Sequence, residues 1–306
     1  GFIGSSLVEK LMNLDMPFDL VLATDVRPMR SQVHHQRFIF QTLDVRDEGL
    51  SNLIKKHAIT HVVHLASIVT PPKNSNRDFE FSVDVLGTRN VLKSCVENNV
   101  RQVITTSSGA AYGYYADSPA WLKESDTIRG NQEFPYSYHK RLVEEDMKTY
   151  RDQYPELKQL ILRPGTILGK HVNNQITDLF KKPVVMGVQG SSSPFVFIWD
   201  EDVVEIIYQG LLHEKSGIYN LAGDGAVTLK EIASILKRPY LSIPSMVLKS
   251  ALKWLKSFGL TQYGPEQINF LRYRPVLDNH KLKAEFPFRP RYTSKECFLT
   301  YLQKAN

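Results

Sequence analysis

The sequence predicts a doubly wound α/β fold, a parallel sheet with helices on both faces, joined to a small C-terminal substrate domain. Three observations predict it. Short apolar runs alternate with segments whose apolar residues recur at helical spacing. Two glycines, Gly1 and Gly4, stand at the front edge of a helix, and Asp25 closes an apolar run about 20 residues on, the spacing of a dinucleotide-binding crossover. Later apolar runs end in small or hydroxyl residues, Ala66-Ser67 and Thr106-Ser107-Ser108, which leave room for a ligand above the carboxyl edge of a parallel sheet. A chain of 306 residues, 42% hydrophobic, is long enough to bury a large core.

Taken in order, Gly1-Phe2-Ile3-Gly4 fits the last two glycines of a phosphate loop. Glycine lets backbone approach a pyrophosphate, and the helix start supplies N–H groups and a positive dipole end. The first glycine and a preceding strand are expected upstream of residue 1. Phe18 to Asp25 reads as a strand whose terminal carboxylate grips ribose hydroxyls and repels a 2′-phosphate, so NAD is expected over NADP. Arg27 tempers that preference, because it can pair with the phosphate. Phe38-Ile39-Phe40, followed by Leu43-Asp44-Val45-Arg46-Asp47, is a strand running into an acidic turn. His61 to Ser67 is a buried strand, with His64 read as a packed histidine because no second ligand stands near it at metal spacing. Ser82 to Leu92 opens a long helix, and Val103 to Ser108 is the next strand.

Tyr136-Ser137-Tyr138-His139-Lys140 carries the chemistry. A tyrosine and a lysine at i and i+4 share one helical face. The ammonium is expected to lower the phenol's pKa, making a group that exchanges protons with a carbinol. Tyr138, two residues from the lysine, faces elsewhere. The same spacing also describes a plain helix with an exposed lysine, so the rest of the chain must decide.

Tyr114 to Phe134 is a polar connection, and Val184 to Pro194, with two glycines and three serines, reads as a mobile loop. Phe195 to Val204 is a strand running into an acidic helix start. Gly217 to Gly223 is a strand, and Thr228 to Glu231 a capped helix start. From Met246 to Phe258 an apolar face stands opposite Lys249, Lys253 and Lys256. Packing onto its own domain is the expected use, with weak membrane-surface association as the alternative. Arg272 and Arg274 are candidates for a substrate phosphate or carboxylate, or for ion pairs with Asp278 or Glu266.

The net charge of +6 is spread along the chain without a basic block, so no nucleic-acid partner is implied. Cys95 and Cys297 have no metal-ligand or CxxC spacing and read as reduced structural thiols. No metal site is expected. No apolar run reaches the roughly 18 residues of a membrane span, and a cytoplasmic protein is expected.

Gly1-Phe2-Ile3-Gly4, Asp25, Leu43-Asp44-Val45, His64-Leu65-Ala66, Gly87-Thr88-Arg89-Asn90-Val91, Thr106-Ser107-Ser108 through Tyr112-Gly113, Tyr136 with Lys140, and Leu162-Arg163-Pro164-Gly165 follow one another in a familiar order. Together they resemble the extended short-chain dehydrogenases/reductases, the NAD-dependent epimerase/dehydratase group, over nearly the whole chain. The resemblance implies a dinucleotide domain over residues 1–168. Residues 169–306 would form mostly a substrate domain, with about 195–225 returning to the first. It implies Ser108, Tyr136 and Lys140 as catalytic residues. Cofactor contacts would come from Gly1, Phe2, Ile3, Gly4, Asp25, Asp44, Val45, Leu65, Ala66, Ser67, Thr106, Tyr136, Lys140 and Pro164. A homodimer through the helices beginning near Gly87 and Tyr136 is implied as well.

Two departures matter. Nucleotide-sugar members commonly carry an arginine just before the strand leading into the acidic turn, and Ser191-Ser192-Ser193-Pro194 stands there instead. A dehydratase would carry an acid pair after the catalytic serine, where Gly109-Ala110 stands. The expectation is a nucleoside-diphosphate-sugar epimerase-like oxidoreductase. The alternatives are a dehydrogenase of hydrophobic alcohols, of 3β-hydroxysteroid or dihydroflavonol type, and a non-catalytic dinucleotide sensor.

Overall fold

Two buried strands explain the architecture. Gln102–Thr106 and Lys158–Pro164 are sealed on both faces, and they pair in parallel. A strand covered on both sides must be apolar along its length and needs helices above and below it. The computed structural model describes residues 1–13, 18–29, 35–69, 75–170, 172, 174–258, 264–265 and 267–305.

In chain order the elements are α1 (Phe2–Met12), β1 (Val21–Asp25), β2 (Phe38–Thr42), α2 (Gly49–Lys56), β3 (His61–His64) and α3 (Arg77–Phe81). A π-helical turn (Ser82–Leu86) leads directly into α4 (Gly87–Glu97) and then β4 (Gln102–Thr106). After a 3-10 turn (Gly109–Tyr112) come α5 (Pro135–Gln153), β5 (Lys158–Pro164), β6 (Thr166–Leu168), α6 (Gln175–Lys181), β7 (Val185–Val188) and β8 (Phe197–Trp199). The chain continues with α7 (Asp200–Leu212), β9 (Gly217–Leu221), α8 (Leu229–Ile235), β10 (Tyr240–Ile243), α9 (Ser245–Ser257), α10 (Gln267–Arg272), α11 (His280–Glu285) and α12 (Ser294–Ala305).

The strands β3-β4-β5-β9 form a four-stranded parallel sheet, with β1-β2, β6-β8 and β7-β10 as parallel pairs. Among the described residues β1 and β3 are not hydrogen-bonded to each other. One face of the central sheet packs through Ile104, Leu160 and Leu162 onto α1 and α7, by way of Leu7, Leu11, Val203 and Ile207. The other packs through Val103 and Ile161 onto α4 and α5, by way of Val91, Leu92, Val143 and Met147. Helices on both faces are what the alternation of elements predicts. A separate core around Phe180, Phe195, Phe197, Trp199 and Phe298 gathers the later elements, with Phe195, Phe197 and Phe298 stacked in sequence.

Three local expectations change. The segment read as a mobile loop contains β7, paired with β10. Its serines are tied down too: Ser191 Oγ donates to the carbonyl of Arg272 (2.6 Å) and Ser193 Oγ to that of Leu271 (2.5 Å). Its apolar run is short, interrupted by Gly187 and followed by Gly190 and three serines, so it reads as a loop from sequence. The helix expected from Ser82 begins with a π turn, which carries one residue more per turn than an α-helix. The helix expected to pack its apolar face onto its own domain, α9, buries none of its residues.

Candidate active site

The site is built on the inner line of α5. Its first turn is prepared by Phe134 in extended conformation and Pro135 at the first helical position, where a missing N–H costs nothing. Tyr136, Lys140 and Glu144 then occupy successive turns at i, i+4 and i+8. Lys140 is buried, and its Nζ donates to the carbonyl of Thr106 at the end of β4 (2.9 Å) while lying 5.6 Å from the centre of the Tyr136 ring. The Ser108 hydroxyl stands within hydrogen-bond reach of the Tyr136 phenol and also accepts from the Ala110 N–H (3.1 Å), which fixes the 3-10 turn that follows. Ser108, Tyr136 and Lys140 are therefore brought together.

The phenol's electrostatics differ from the expectation. Burial pushes the Tyr136 pKa up, and the Tyr114 and Asp84 groups push it further, while the hydrogen bond with Ser108 offsets only part. The anticipated lowering by Lys140 is not found. The ammonium points at the Thr106 carbonyl, and burial lowers its own pKa, with Asp84 and Glu144 pulling it back up. The site thus holds a protonated phenol, a proton donor at neutral pH. Tyr138 faces elsewhere as expected, under the guanidinium groups of Arg141 (5.2 Å) and Arg77 (5.5 Å).

Beneath this trio lies a polar floor that the sequence did not reveal. Asp84, buried in the π turn, accepts from Ser67 Oγ (3.0 Å) and the Ile68 N–H (2.8 Å) on one oxygen and faces His139 Nδ1 (3.2 Å) with the other. His64 is buried against Thr88 Oγ1 (2.9 Å); burial lowers its pKa to about 4, Lys140 lowers it further and Asp84 opposes. It is a neutral packing histidine, as expected. Glu144 receives Arg163 through Nη2 (2.6 Å) and Nε (2.9 Å) and Ser107 Oγ (2.5 Å). Arg163 Nη1 also donates to the Tyr112 hydroxyl (2.7 Å), which in turn donates to Asn220 on β9 (2.9 Å). The residues flanking Ser108 are thereby clamped to α5, β5 and β9. Glu144 was within reach of sequence reasoning, since it extends the same four-residue ladder; its partner Arg163 is 19 residues away in the chain.

The expected cofactor residues line the carboxyl edge of the strands. Gly1 and Gly4 lie at the start of α1, Asp25 ends β1, Leu65, Ala66 and Ser67 follow β3, Thr106 ends β4 and Pro164 ends β5. A Cβ on Gly1 would meet nothing within 4 Å, and one on Gly4 only Leu65 Cδ1 at 3.7 Å. Packing among the described residues therefore does not require glycine at Gly4, as fits a backbone kept bare for a ligand. Phe2 is exposed and Ile3 half-buried. Asp25 Oδ2 lies 2.6 Å from the Gly1 nitrogen, and Oδ1 accepts the Arg27 N–H (3.0 Å). Burial opposes ionisation of Asp25, and the Arg27 N–H and guanidinium favour it. Asp44 has both oxygens engaged by Arg46 (2.9 and 2.7 Å). The Val45 carbonyl accepts from Asn90 Nδ2 (2.9 Å), and a Cβ on Gly87 would strike Val45 Cγ1 at 2.5 Å, so α4 seats this turn closely. These residues fit a dinucleotide; among the described residues no cluster of histidine, cysteine or carboxylate side chains suits a metal ion.

Tyr114, which acts on the Tyr136 phenol, packs with Phe134 and Phe270 in an aromatic wall, with centroids 5.0 to 5.8 Å apart. Arg274 lies over Phe195 (3.8 Å) and Phe270 (4.7 Å). Its Nη1 is sealed from solvent with no hydrogen bond, and burial lowers its pKa to about 10. No acid pairs with it among the described residues: Asp278 pairs with His280 (2.8 Å) instead, and Glu266 lies outside the described residues. Arg272 also has a buried Nε without a partner and lies over Tyr273 (4.8 Å). An open surface cavity of about 810 Å³ between Lys123, Glu124, Asp278 and Lys281 shares no residue with the Ser108, Tyr136 and Lys140 group.

The model of the NAD dependent epimerase/dehydratase family matches residues 1–222. The chain belongs to that family. A putative UDP-glucose 4-epimerase of Methanocaldococcus jannaschii is 24% identical over 251 residues, covering 78% of this chain and 79% of that protein. Among solved structures, MoeE5 in complex with UDP-glucose and NAD superposes with a TM-score of 0.74 at 21% identity, covering 99% of this chain and 95% of that one. The UDP-Glc/GlcNAc 4-epimerase of Campylobacter jejuni gives 0.73 at 17% identity, covering 99% and 96%. The epimerase/dehydratase fold thus extends through the C-terminal region, beyond the matched 222 residues. Among the described residues no helix is long and apolar enough to cross a membrane.

Proposed function

We propose that this chain is an NAD-dependent epimerase of a nucleoside-diphosphate sugar, with residues 1–168 holding the cofactor and most of the remainder the substrate. The observation that carries the reading is the convergence of Ser108 and Lys140 on Tyr136 at the carboxyl edge of a parallel sheet. Arg274 supports the substrate class. A guanidinium held between two rings, with no acid partner among the described residues, is suited to a diphosphate, and it answers the absence of an arginine before β8.

Bound NAD would supply the acceptor and return donor for the hydrogen at the carbinol carbon. Ser108 orients the carbinol oxygen, and Tyr136 takes its proton and gives it back. Lys140 holds the end of β4 and would hold the ribose side of the cofactor. Asp25 disfavours a 2′-phosphate by charge, which selects NAD over NADP. Because burial raises the phenol's pKa, the phenolate that takes the proton is the minor form at neutral pH, and turnover is expected to rise with pH through the neutral range.

The test is turnover of UDP-glucose with NAD, read as UDP-galactose formed, across pH. Tyr136→Phe is expected to lose about 10²- to 10⁴-fold in kcat with NAD binding retained. Undiminished turnover would overturn the role of Tyr136, and a pH-independent rate would overturn the raised phenol. The aromatic wall of Tyr114, Phe134 and Phe270 favours a second reading, a dehydrogenase of a hydrophobic alcohol. Net accumulation of NADH with such an alcohol would establish it, since an epimerase returns its cofactor to the starting state.

A further inference from the structure

The helix α9 and its flanks are the part of the molecule that neither the fold nor the site accounts for. Three stripes run along it. Leu248, Leu252 and Leu255, at i, i+4 and i+7, form the inner stripe, yet none of them is buried. Val247, Trp254 and Phe258 form a second stripe that faces outward, exposed by 58%, 67% and 65%, with the Trp254 and Phe258 rings 5.3 Å apart. Lys249, Lys253 and Lys256 form the third, also exposed. Met246, at the helix start, is 79% exposed. Two further apolar residues, Leu241 and Met186, are cross-strand partners in the sheet that feeds α9, and both are more than half exposed.

Charge identifies what such a face would meet. Between Glu231 and Glu266 the sequence contains no acidic residue, while Lys237, Arg238, Lys249, Lys253 and Lys256 all fall within that span. Lys249 and Lys253 have no ion pair among the described residues. An outward tryptophan and phenylalanine beside a row of lysines, on a helix too short and too charged to span, match the chemistry of a helix lying in the headgroup layer. We propose that α9 docks the protein on an anionic lipid surface, with Trp254, Phe258, Val247 and Met246 entering the acyl boundary and Lys249 and Lys253 meeting lipid phosphates. A second copy of the chain, or a soluble acidic protein, would leave the indole ring in a protein contact instead and would not require lipid.

The experiment is co-sedimentation of the full chain with vesicles of phosphatidylcholine alone and of phosphatidylcholine with phosphatidylglycerol, with tryptophan emission followed alongside. Partition onto the anionic vesicles only, a blue shift of the emission, and release on raising the ionic strength are expected. Each of Lys249→Glu and Lys253→Glu should weaken vesicle affinity at least about fivefold. The double change Trp254→Ser with Phe258→Ser should abolish both partition and blue shift. These side chains are exposed, so the variants should unfold at the wild-type temperature and keep wild-type turnover in solution. No partition onto anionic vesicles would overturn the proposal. So would partition undiminished in the variants, or a change in oligomeric size on substituting Trp254 and Phe258, which would assign the face to a second copy.

Discussion

Arg163, buried, and Arg274, half-buried with its Nη1 sealed from solvent, are two guanidinium groups with opposite surroundings. Arg163, 3% exposed, is bound through two nitrogens by Glu144 and through a third by Tyr112. Burial alone would lower its pKa, but Glu144 more than reverses this and raises it. Arg274 has rings for neighbours and no acid among the described residues, and burial lowers its pKa to about 10, with only Tyr114 opposing. A buried charge that is fully paired holds structure together; one left with donors unmet is a place where an anion is gained. The first arginine belongs to the scaffold beneath Ser108; the second is the one we propose to meet the substrate.

The comparison breaks most sharply at Glu144. Glu144→Ala would strand Arg163 without its counter-charge, and a loss of about 3–5 kcal/mol in unfolding free energy is expected, measured by urea denaturation. A loss below about 1 kcal/mol would mean that the pair is not the clamp described. His64 provides the next test, as a buried base with a hydroxyl partner and no acid of its own. Its pKa falls from 6.5 to about 4 on folding. Between those values the unfolded chain binds more protons than the folded one, so this contribution is complete above pH 6.5 and is lost as pH falls through 4. The shift corresponds to roughly 3 kcal/mol, and His64→Gln should flatten the acid limb of a stability–pH curve. An unchanged limb would assign the proton uptake to another group. Arg274 gives the smallest effect. Arg274→Ala should raise the KM for a UDP-sugar about 10- to 100-fold, the worth of one or two charge-assisted hydrogen bonds. Stability should change by no more than the ~1 kcal/mol of its ring contacts. An unchanged KM would return Arg274 to the scaffold and favour the apolar substrate.

What was legible in the sequence follows the range of the interactions. Tyr136 and Lys140 are four residues apart, and local helical geometry alone unites them. Asp25 and the glycines were singled out because each ends or begins an element, and Ser108 because the family resemblance implies it. Asp84, with partners 16, 17 and 55 residues away, and the Glu144 and Arg163 pair were not, because only the packing of α4 and α5 on the sheet creates those contacts. The lowered phenol pKa was an error of the same kind. Spacing reports that an ammonium is near, but not that its Nζ is turned to the Thr106 carbonyl while the phenol is desolvated. The strand β7 escaped notice behind its glycines and serines. The pairing of Arg272 or Arg274 with Asp278 was a fair alternative that geometry removed, since Asp278 is engaged by His280.

The π turn at Ser82–Leu86 makes chain length itself a functional variable. Successive residues of an α-helix are turned by about 100°, so deleting one residue here would relax the turn to ordinary α geometry and rotate α3 by about that angle relative to α4. Asp84 would swing away from Ser67 and His139. Insertions and deletions elsewhere on the surface shift loops; in this one turn they would redirect a carboxylate, and a sequence that differed by one residue there would describe a different floor beneath the same tyrosine.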